Sequence, residues 1–115
     1  MKKYALTLDL KDDPTLIREY IALHENVWPE IKSSFSRSGI HDMIIYRFHT
    51  RLFMLIYTED DFSFEKKARL DQSDPQVQKW ETLMGGYQQS LQDGNPDEKW
   101  QLMEEIFNLR DSEEI

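Results

Sequence analysis

Residues 20–46 determine the fold, and their sequence is YIALHENVWPEIKSSFSRSGIHDMIIY. The stretch combines a helical pattern, a proline interruption, a glycine turn and the start of an apolar strand. Apolar side chains recur at three- and four-residue steps, which is the spacing of one face of a helix. The predicted face begins just upstream and comprises Ile17, Tyr20, His24, Val27, Ile31 and Phe35. The pattern therefore predicts an amphipathic helix that carries a histidine on its apolar face.

Pro29 interrupts this helical pattern. A proline inside a helix removes one backbone donor and clashes with the preceding turn, so the helix must kink or restart there. A restart capped by Asn26, with Pro29 still in the first turn, would satisfy the geometry. Gly39 then marks the C-terminal end of the segment. We therefore expect His24 to lie next to a discontinuity, where backbone groups are freed and a ligand can approach.

The remaining elements follow from alternating or helical patterns and from turn residues. The chain begins with a half-buried strand at residues 3–10, a helix that starts at Asp13-Pro14 and an antiparallel hairpin of strands at residues 41–48 and 52–58. A short helix capped by Asp60-Asp61 and a helix opened by Ser73-Asp74-Pro75 follow. The chain then continues with a long loop within residues 85–99 and a final strand at residues 103–109. The loop is either a lid or a passive connection. This order predicts an α+β fold, a ferredoxin-like antiparallel four-stranded sheet with helices on one face.

Both strands of the predicted hairpin are apolar on both faces. A small antiparallel sheet that is covered by helices on one side should show a polar second face. A second copy of the chain packed on the open face would be the simplest way to bury its apolar side chains, so we predict a homodimer. Dimerisation through the open sheet faces would give a dimeric α+β barrel with a pocket in each subunit.

Length and charge exclude several classes of protein. At 115 residues the chain is expected to form one domain, with residues 1–110 as the barrel domain and residues 111–115 as a frayed acidic C-terminal tail. The net charge is 14 − 22 = −8 without a Lys/Arg block, which argues against a nucleic-acid partner. No cysteine is present, so thiolate catalysis and disulfides are excluded. No apolar run approaches the ~18 residues of a membrane span, and we expect a cytoplasmic protein without a membrane partner.

His24 is the strongest candidate for chemistry. Its ordinary pKa near 6.5 lets an imidazole accept or donate a proton near neutral pH. Tyr20 lies four residues earlier on the same helical face, where a phenol can hydrogen-bond or relay a proton. The alternative is a core histidine with satisfied hydrogen bonds. His41 heads a strand and either points into a pocket or caps the loop, whereas His49 falls in the predicted hairpin turn.

Trp28 and Trp80 could form the flat apolar wall on which sugar rings stack, and the alternative is a pair of ordinary core aromatics. The histidines show no metal-ligand spacing, and carboxylates do not cluster at helical steps, so we expect no metal site. Glycine-rich phosphate loops and the G-x-S-x-G nucleophile motif are absent. The residues alone indicate a dimeric α+β protein with a histidine acid/base and do not name a substrate.

The run from His24 to Ile31 resembles the H-x-x-[IV]-W-P-E-[IL] signature of the rhamnose mutarotase family. More of the chain, from Lys3 to about Leu109, is similar to that family in the same order. The further similar segments are Gly39-Ile40-His41, Ile45-Tyr46, Leu52-Phe53, Trp80 with Met84, and Glu104-Glu105-Ile106-Phe107-Asn108-Leu109. The resemblance implies a dimeric α+β barrel that interconverts the anomers of a 6-deoxy-L-sugar.

By this resemblance the family's catalytic histidine maps onto His24, its substrate-contacting tyrosine onto Tyr20, and the first of two adjacent tryptophans onto Trp80. Two pocket positions differ from those of the family's rhamnose enzymes. Met43 stands where those enzymes carry tyrosine, and Glu81 stands where they carry a second tryptophan. These departures make the chain look more like the L-fucose mutarotase branch of the family.

Mutarotation needs only an acid and a base within hydrogen-bond reach, so no cofactor is expected. We predict His24 as the catalytic residue, and the predicted substrate-binding residues are Tyr20, Trp28, His41, Met43, Trp80 and Glu81. The partner is a small monosaccharide. The alternatives are an L-rhamnose mutarotase, a cofactor-independent monooxygenase of the same fold and a non-catalytic ligand-binding dimer.

Overall fold

The fold is that of a computed structural model, which describes residues 1–95 and 98–113. Its elements are β1 (Lys2–Leu10), α1 (Pro14–Glu25), α2 (Pro29–Arg37), β2 (Ile40–Phe48), β3 (Arg51–Thr58), α3 (Phe64–Gln72), α4 (Pro75–Gly85), β4 (Gln88–Gln89), β5 (Gln101–Leu102) and α5 (Leu109–Glu113). They form the predicted ferredoxin-like α+β fold, with an antiparallel sheet and helices. None of the described helices is long and apolar enough to cross a membrane.

The sheet has the order β2-β3-β1, and two short strands share the fourth position beside β1. β4 lies opposite Asp9 and Leu10, whereas β5 lies opposite Leu6 and Thr7. The predicted hairpin of β2 and β3 is confirmed and pairs antiparallel over nearly its full length. Gly39 links α2 to this hairpin with φ at 93°, a backbone conformation that glycine adopts without the cost borne by other residues.

The predicted final strand at residues 103–109 is wrong. The strand consists of Gln101–Leu102, and the Met103 amide donates one more bond to the Ala5 carbonyl at 2.8 Å before the chain leaves the sheet. The apolar residues that follow have strand propensity, but a ladder also needs a neighbouring strand. The region predicted as a frayed tail is helical up to Glu113, and residues 114–115 lie outside the described residues.

The helix restart predicted at Pro29 is confirmed, but its cap is not Asn26. Asn26 is the C-cap of α1, and α2 begins with Trp28 as N-cap and Pro29 in its first turn. Proline fits there because the first turn leaves its backbone N–H groups unpaired in any case. Two helix starts predicted from Asp13 and Asp74 are confirmed, because both side chains accept amide hydrogen bonds.

The predicted cap of the short helix at Asp60-Asp61 is also wrong. Ser63 caps α3 and accepts a hydrogen bond from the Lys66 amide at 3.3 Å. Asp60 instead pairs with the N-terminal amine at 2.6 Å. Ser63 is the residue directly before the helix, and a side-chain oxygen at this position can accept hydrogen bonds from the free N–H groups of the first turn.

The helices and one face of the sheet enclose two apolar clusters. The larger cluster joins α1, α2 and α4 to the sheet through Leu10, Ile17, Tyr20, Ile31, Leu52, Val77, Trp80 and Met84. The smaller cluster comprises Leu6, Ile40, Ile56 and Phe62. The helix break between α1 and α2 lies at the larger cluster, with Val27 and Trp28 packed against it. This packing brings aromatic residues of α1, α2 and α4 to one place.

Candidate active site

His24 lies in the last turn of α1, and its ring is half-buried. Its Nδ1 atom is 2.7 Å from the backbone carbonyl oxygen of Tyr20. A carbonyl oxygen only accepts hydrogen bonds, so Nδ1 must carry the proton and donate it. In the neutral ring the other nitrogen, Nε2, then has a free lone pair. The helix backbone thus selects the tautomer in which Nε2 is unprotonated and can accept a proton.

Tyr20 supplies a buried hydroxyl beside this imidazole. The residue is only 4 % exposed, and its ring centroid lies 4.4 Å from that of His24. The hydroxyl oxygen accepts a hydrogen bond from Gln88 Nε2 at 3.4 Å. Burial raises the pKa of the Tyr20 phenol, and the bond from Gln88 partly offsets this rise. The phenol therefore holds its proton at neutral pH and can donate it.

Two tryptophans complete an aromatic corner around His24. The Trp80 ring meets the imidazole edge to face, with centroids 5.7 Å apart. Trp28 packs on Trp80 in the same way at 5.1 Å. The restart at Pro29 makes Trp28 the N-cap of α2 and so places its indole at the helix junction. Trp80 is 8 % exposed and belongs to the larger buried cluster, whereas Trp28 is half-buried. Trp28 therefore offers the apolar surface of the kind on which the faces of sugar rings pack.

Tyr87 extends the site along the next face of α1. Its hydroxyl donates to the Glu19 carboxylate at 3.1 Å, and its ring lies 6.0 Å from that of Tyr20. A shallow recess of about 350 Å³ opens here, lined by Glu19, Ala22, Leu23, Asn26 and Tyr87. His24 is not part of this lining. The recess therefore adjoins the candidate site through the Tyr87 ring.

A second recess of about 240 Å³ lies between α2, α3 and α4 and is lined by Ser34, Arg37, Leu70, Asp71, Ser73, Asp74 and Pro75. None of the predicted site residues lines it. Its charged side chains pair with one another or with neighbours, since Arg37 bonds Asp74 at 2.8 Å and Lys67 bonds Asp71 at 2.5 Å. We place the candidate site at the aromatic corner, where titratable groups and apolar surface coincide.

The structure brings four of the seven predicted site residues together, namely Tyr20, His24, Trp28 and Trp80. The other three have different surroundings. His41 sits at a register shift of β2 and faces Glu59 at 3.2 Å. Met43 packs against the smaller apolar cluster. The electrostatic neighbours of Glu81 are Asp71, Lys67 and Lys99.

Gln88, Tyr87 and Glu19 were not predicted as site residues. Gln88 and Tyr87 fall in the stretch that the sequence presents as a long loop, after a Gly-Gly pair. Gln88 reaches Tyr20 because β4 pairs with the far end of β1, opposite Leu10. Such a pairing between distant segments leaves no local pattern. Within the described ranges, no three His, Cys, Asp or Glu side chains lie close enough together to hold a metal ion.

Comparisons with known proteins identify the family of the chain. The sequence matches the L-rhamnose mutarotase family over residues 3–109. A protein of Xanthomonas campestris named L-fucose mutarotase is 38 % identical over 114 residues, 97 % of this chain and 91 % of the relative. The L-rhamnose mutarotase of Sinorhizobium fredii is 28 % identical over 98 residues, 84 % of this chain and 88 % of the relative.

A solved structure shows the same fold. The L-rhamnose mutarotase of Formosa agariphila superposes with a TM-score of 0.70, and the match covers 95 % of this chain and 99 % of that one. Its sequence identity of 21 % makes this a likeness of fold. Because the family match spans nearly the whole chain, the protein belongs to the L-rhamnose mutarotase family of carbohydrate isomerases.

Proposed function

We propose that this protein interconverts the α and β anomers of a 6-deoxy-L-sugar, with L-fucose as the substrate, and that His24 is its catalytic residue. One observation carries the proposal. The Nδ1 atom of His24 is bonded to a backbone carbonyl at 2.7 Å, which leaves Nε2 as a base next to a buried phenol. Membership of a mutarotase family supports the same reaction.

In the proposed mechanism, His24 Nε2 removes the proton of the anomeric hydroxyl. The Tyr20 hydroxyl donates its proton to the ring oxygen, the C1–O5 bond breaks and the C1 oxygen becomes an aldehyde. Rotation about C1–C2 presents the other face of the aldehyde, and the reverse proton transfers close the ring. Atoms and protons balance over the cycle without a cofactor. One well-placed proton-transfer group typically contributes ~10²–10⁴ in rate.

In this proposal the sugar binds at the aromatic corner. Trp28 is half-buried and packs on Trp80, which contacts the His24 ring. The apolar ring surface of Trp28 suits the apolar face of a deoxysugar. The choice of L-fucose rests on the relative that bears this name at 38 % identity.

We further propose that the protein is a cytoplasmic homodimer joined through the outer faces of its sheets. On that face Ile44, Phe53 and Leu55 sit in adjacent strands, and Phe48 is 85 % exposed. Beyond β5, Ile106 and Phe107 are also exposed, at 90 % and 68 %. A second copy that covers this surface would remove it from water.

Saturation-transfer NMR on the purified protein tests the proposed function. Irradiating one anomeric proton transfers saturation to the other only while the anomers exchange. We expect rapid exchange with L-fucose, slower exchange with L-rhamnose and none above the uncatalysed rate with D-galactose. Exchange fastest with L-rhamnose would reverse the substrate assignment. A protein that accelerates none of the three sugars is not the proposed enzyme, and oxygen uptake with quinols would favour a monooxygenase.

A further inference from the structure

Gln88 places a carboxamide among the apolar residues beside Tyr20. It is one of the two residues of β4, and its cross-strand partner is Leu10, which is 2 % exposed. Residues directly opposite in an antiparallel pair point to the same face of the sheet. Gln88 therefore faces the helices and is half-buried, whereas its neighbour Gln89 is exposed on the other side.

The bond from Gln88 determines which way the Tyr20 hydroxyl can donate. A hydroxyl has one proton and two lone pairs. Gln88 Nε2 donates to the Tyr20 oxygen at 3.4 Å and so occupies one lone pair. An amide N–H cannot accept a hydrogen bond, so the hydroxyl proton must point away from Gln88 Nε2. It is thereby available to a group that enters the site.

Tyr20 is thus tied to the site at both of its polar ends. Its carbonyl holds the imidazole of His24, and its hydroxyl receives the Gln88 amide. We infer that Gln88 is a positioning residue of the reaction, which orients the Tyr20 hydroxyl so that its proton is directed at the ring oxygen of the sugar. This inference rests on the proposed function. It assigns to the first residue after the Gly85-Gly86-Tyr87 turn a role that a passive loop residue would not have.

A direct test that needs no turnover is the titration of Tyr20. A donor to the phenol oxygen stabilises the phenolate, so its removal in Gln88→Leu should raise the pKa of the Tyr20 phenol. The protein is labelled with 3-fluorotyrosine, whose phenol is more acidic, and the ¹⁹F signal of position 20 is assigned with Tyr20→Phe. Gln89→Leu, on the exposed side of the same strand, is the matched control and should leave the titration unchanged. An unmoved Tyr20 titration in Gln88→Leu overturns the inference.

Kinetics with L-fucose complete the test. Gln88→Leu should lower kcat about three- to tenfold with little change in KM, as expected for the loss of one hydrogen bond needed in the transition state. Gln88→Glu should be impaired more at pH 8, where its carboxylate accepts the Tyr20 proton, and should recover towards wild type as the carboxyl is protonated. A residue that merely fills space would give a ratio to wild type that does not vary with pH.

The outcomes separate the two proposals. Wild-type exchange with a normal Gln88→Leu variant contradicts the role of Gln88 and leaves the mutarotase assignment intact. A wild-type protein that exchanges no sugar contradicts the proposed function and with it the reaction role of Gln88, while the fluorine titration still reports whether Gln88 sets the Tyr20 hydroxyl.

Discussion

At the scale of single residues, a hydrogen bond to the helix backbone determines the tautomer of His24. The helical spacing of four residues puts Nδ1 next to the Tyr20 carbonyl, and that bond leaves Nε2 as the unprotonated nitrogen of the neutral ring. A histidine ring enclosed by aliphatic side chains could not exchange a proton with a substrate. Here the half-buried ring contacts the aromatic rings of Tyr20 and Trp80.

Glu81 shows that a residue adjacent to the site in sequence can belong to different surroundings. Partial burial raises the pKa of its carboxyl, and the nearby Asp71 carboxylate raises it further. A raised folded-state pKa means that the carboxyl adds stability below its unfolded pKa and that this contribution is lost as pH rises through the folded-state value. Ionised Glu81 therefore opposes folding at neutral pH.

We predict that Glu81→Gln raises the melting temperature at pH 7 and that the gain disappears towards pH 4. Gln has nearly the same shape but no charge, so the unfavourable ionisation is removed. Differential scanning calorimetry from pH 4 to pH 8 measures the effect. Glu104→Gln, at an exposed position, serves as the control. A lower melting temperature for Glu81→Gln at pH 7 would show that Lys67 and Lys99 outweigh burial.

At the scale of elements, the parts that were predictable are those whose evidence lies close together in the chain. The β2–β3 hairpin follows from two apolar runs joined by a short turn, and the restart at Pro29 follows from the missing proline donor. Both are present. The position beside β1 could not be predicted, because it is shared by two short strands, β4 and β5, that approach from distant segments. For the same reason Gln88 was not predicted as a site residue. The last strand was predicted at residues 103–109, but it consists of Gln101–Leu102.

The aromatic part of the candidate site was predictable for a related reason. Tyr20, His24 and Trp28 are joined by helical spacing and the proline break, and Trp80 shares the inner face of α4. His41 was predicted from its place at the head of a strand, and Met43 by resemblance alone. Their direction depends on the register of β2, where a shift falls between Ile40 and Asp42. A shift of one residue in a strand reverses the face on which each side chain lies.

At the scale of the whole molecule, the outer face of the sheet is the feature that one chain leaves uncovered. Leu55 lies at its centre, opposite Ala5 on β1 and Ile44 on β2. A stable interface between two proteins commonly buries about 1,600 Å² in total. On this face β2 and β3 contribute apolar side chains, among them Ile44, Phe53 and Leu55. The dimer proposed above would place these residues at its core.

We predict that Leu55→Glu converts the dimer to a monomer, because a carboxylate buried between two sheets without a partner is strongly disfavoured. Sedimentation velocity at micromolar concentration measures the change, and circular dichroism verifies that the variant is folded. Ala68→Glu introduces the same charge at an exposed position of α3 and should leave the dimer intact. A wild-type protein that sediments as a monomer would contradict the proposed assembly.

The account as a whole depends on proton transfer at His24, and saturation-transfer NMR with L-fucose measures it most directly. Wild type, His24→Gln and the control His49→Asn are compared, since His49 is an exposed turn histidine with positive φ that asparagine tolerates. We predict that His24→Gln loses at least ~10² in the rate of anomer exchange while its melting temperature and His49→Asn stay close to wild type. Exchange at the wild-type rate in a folded His24→Gln protein would contradict the account.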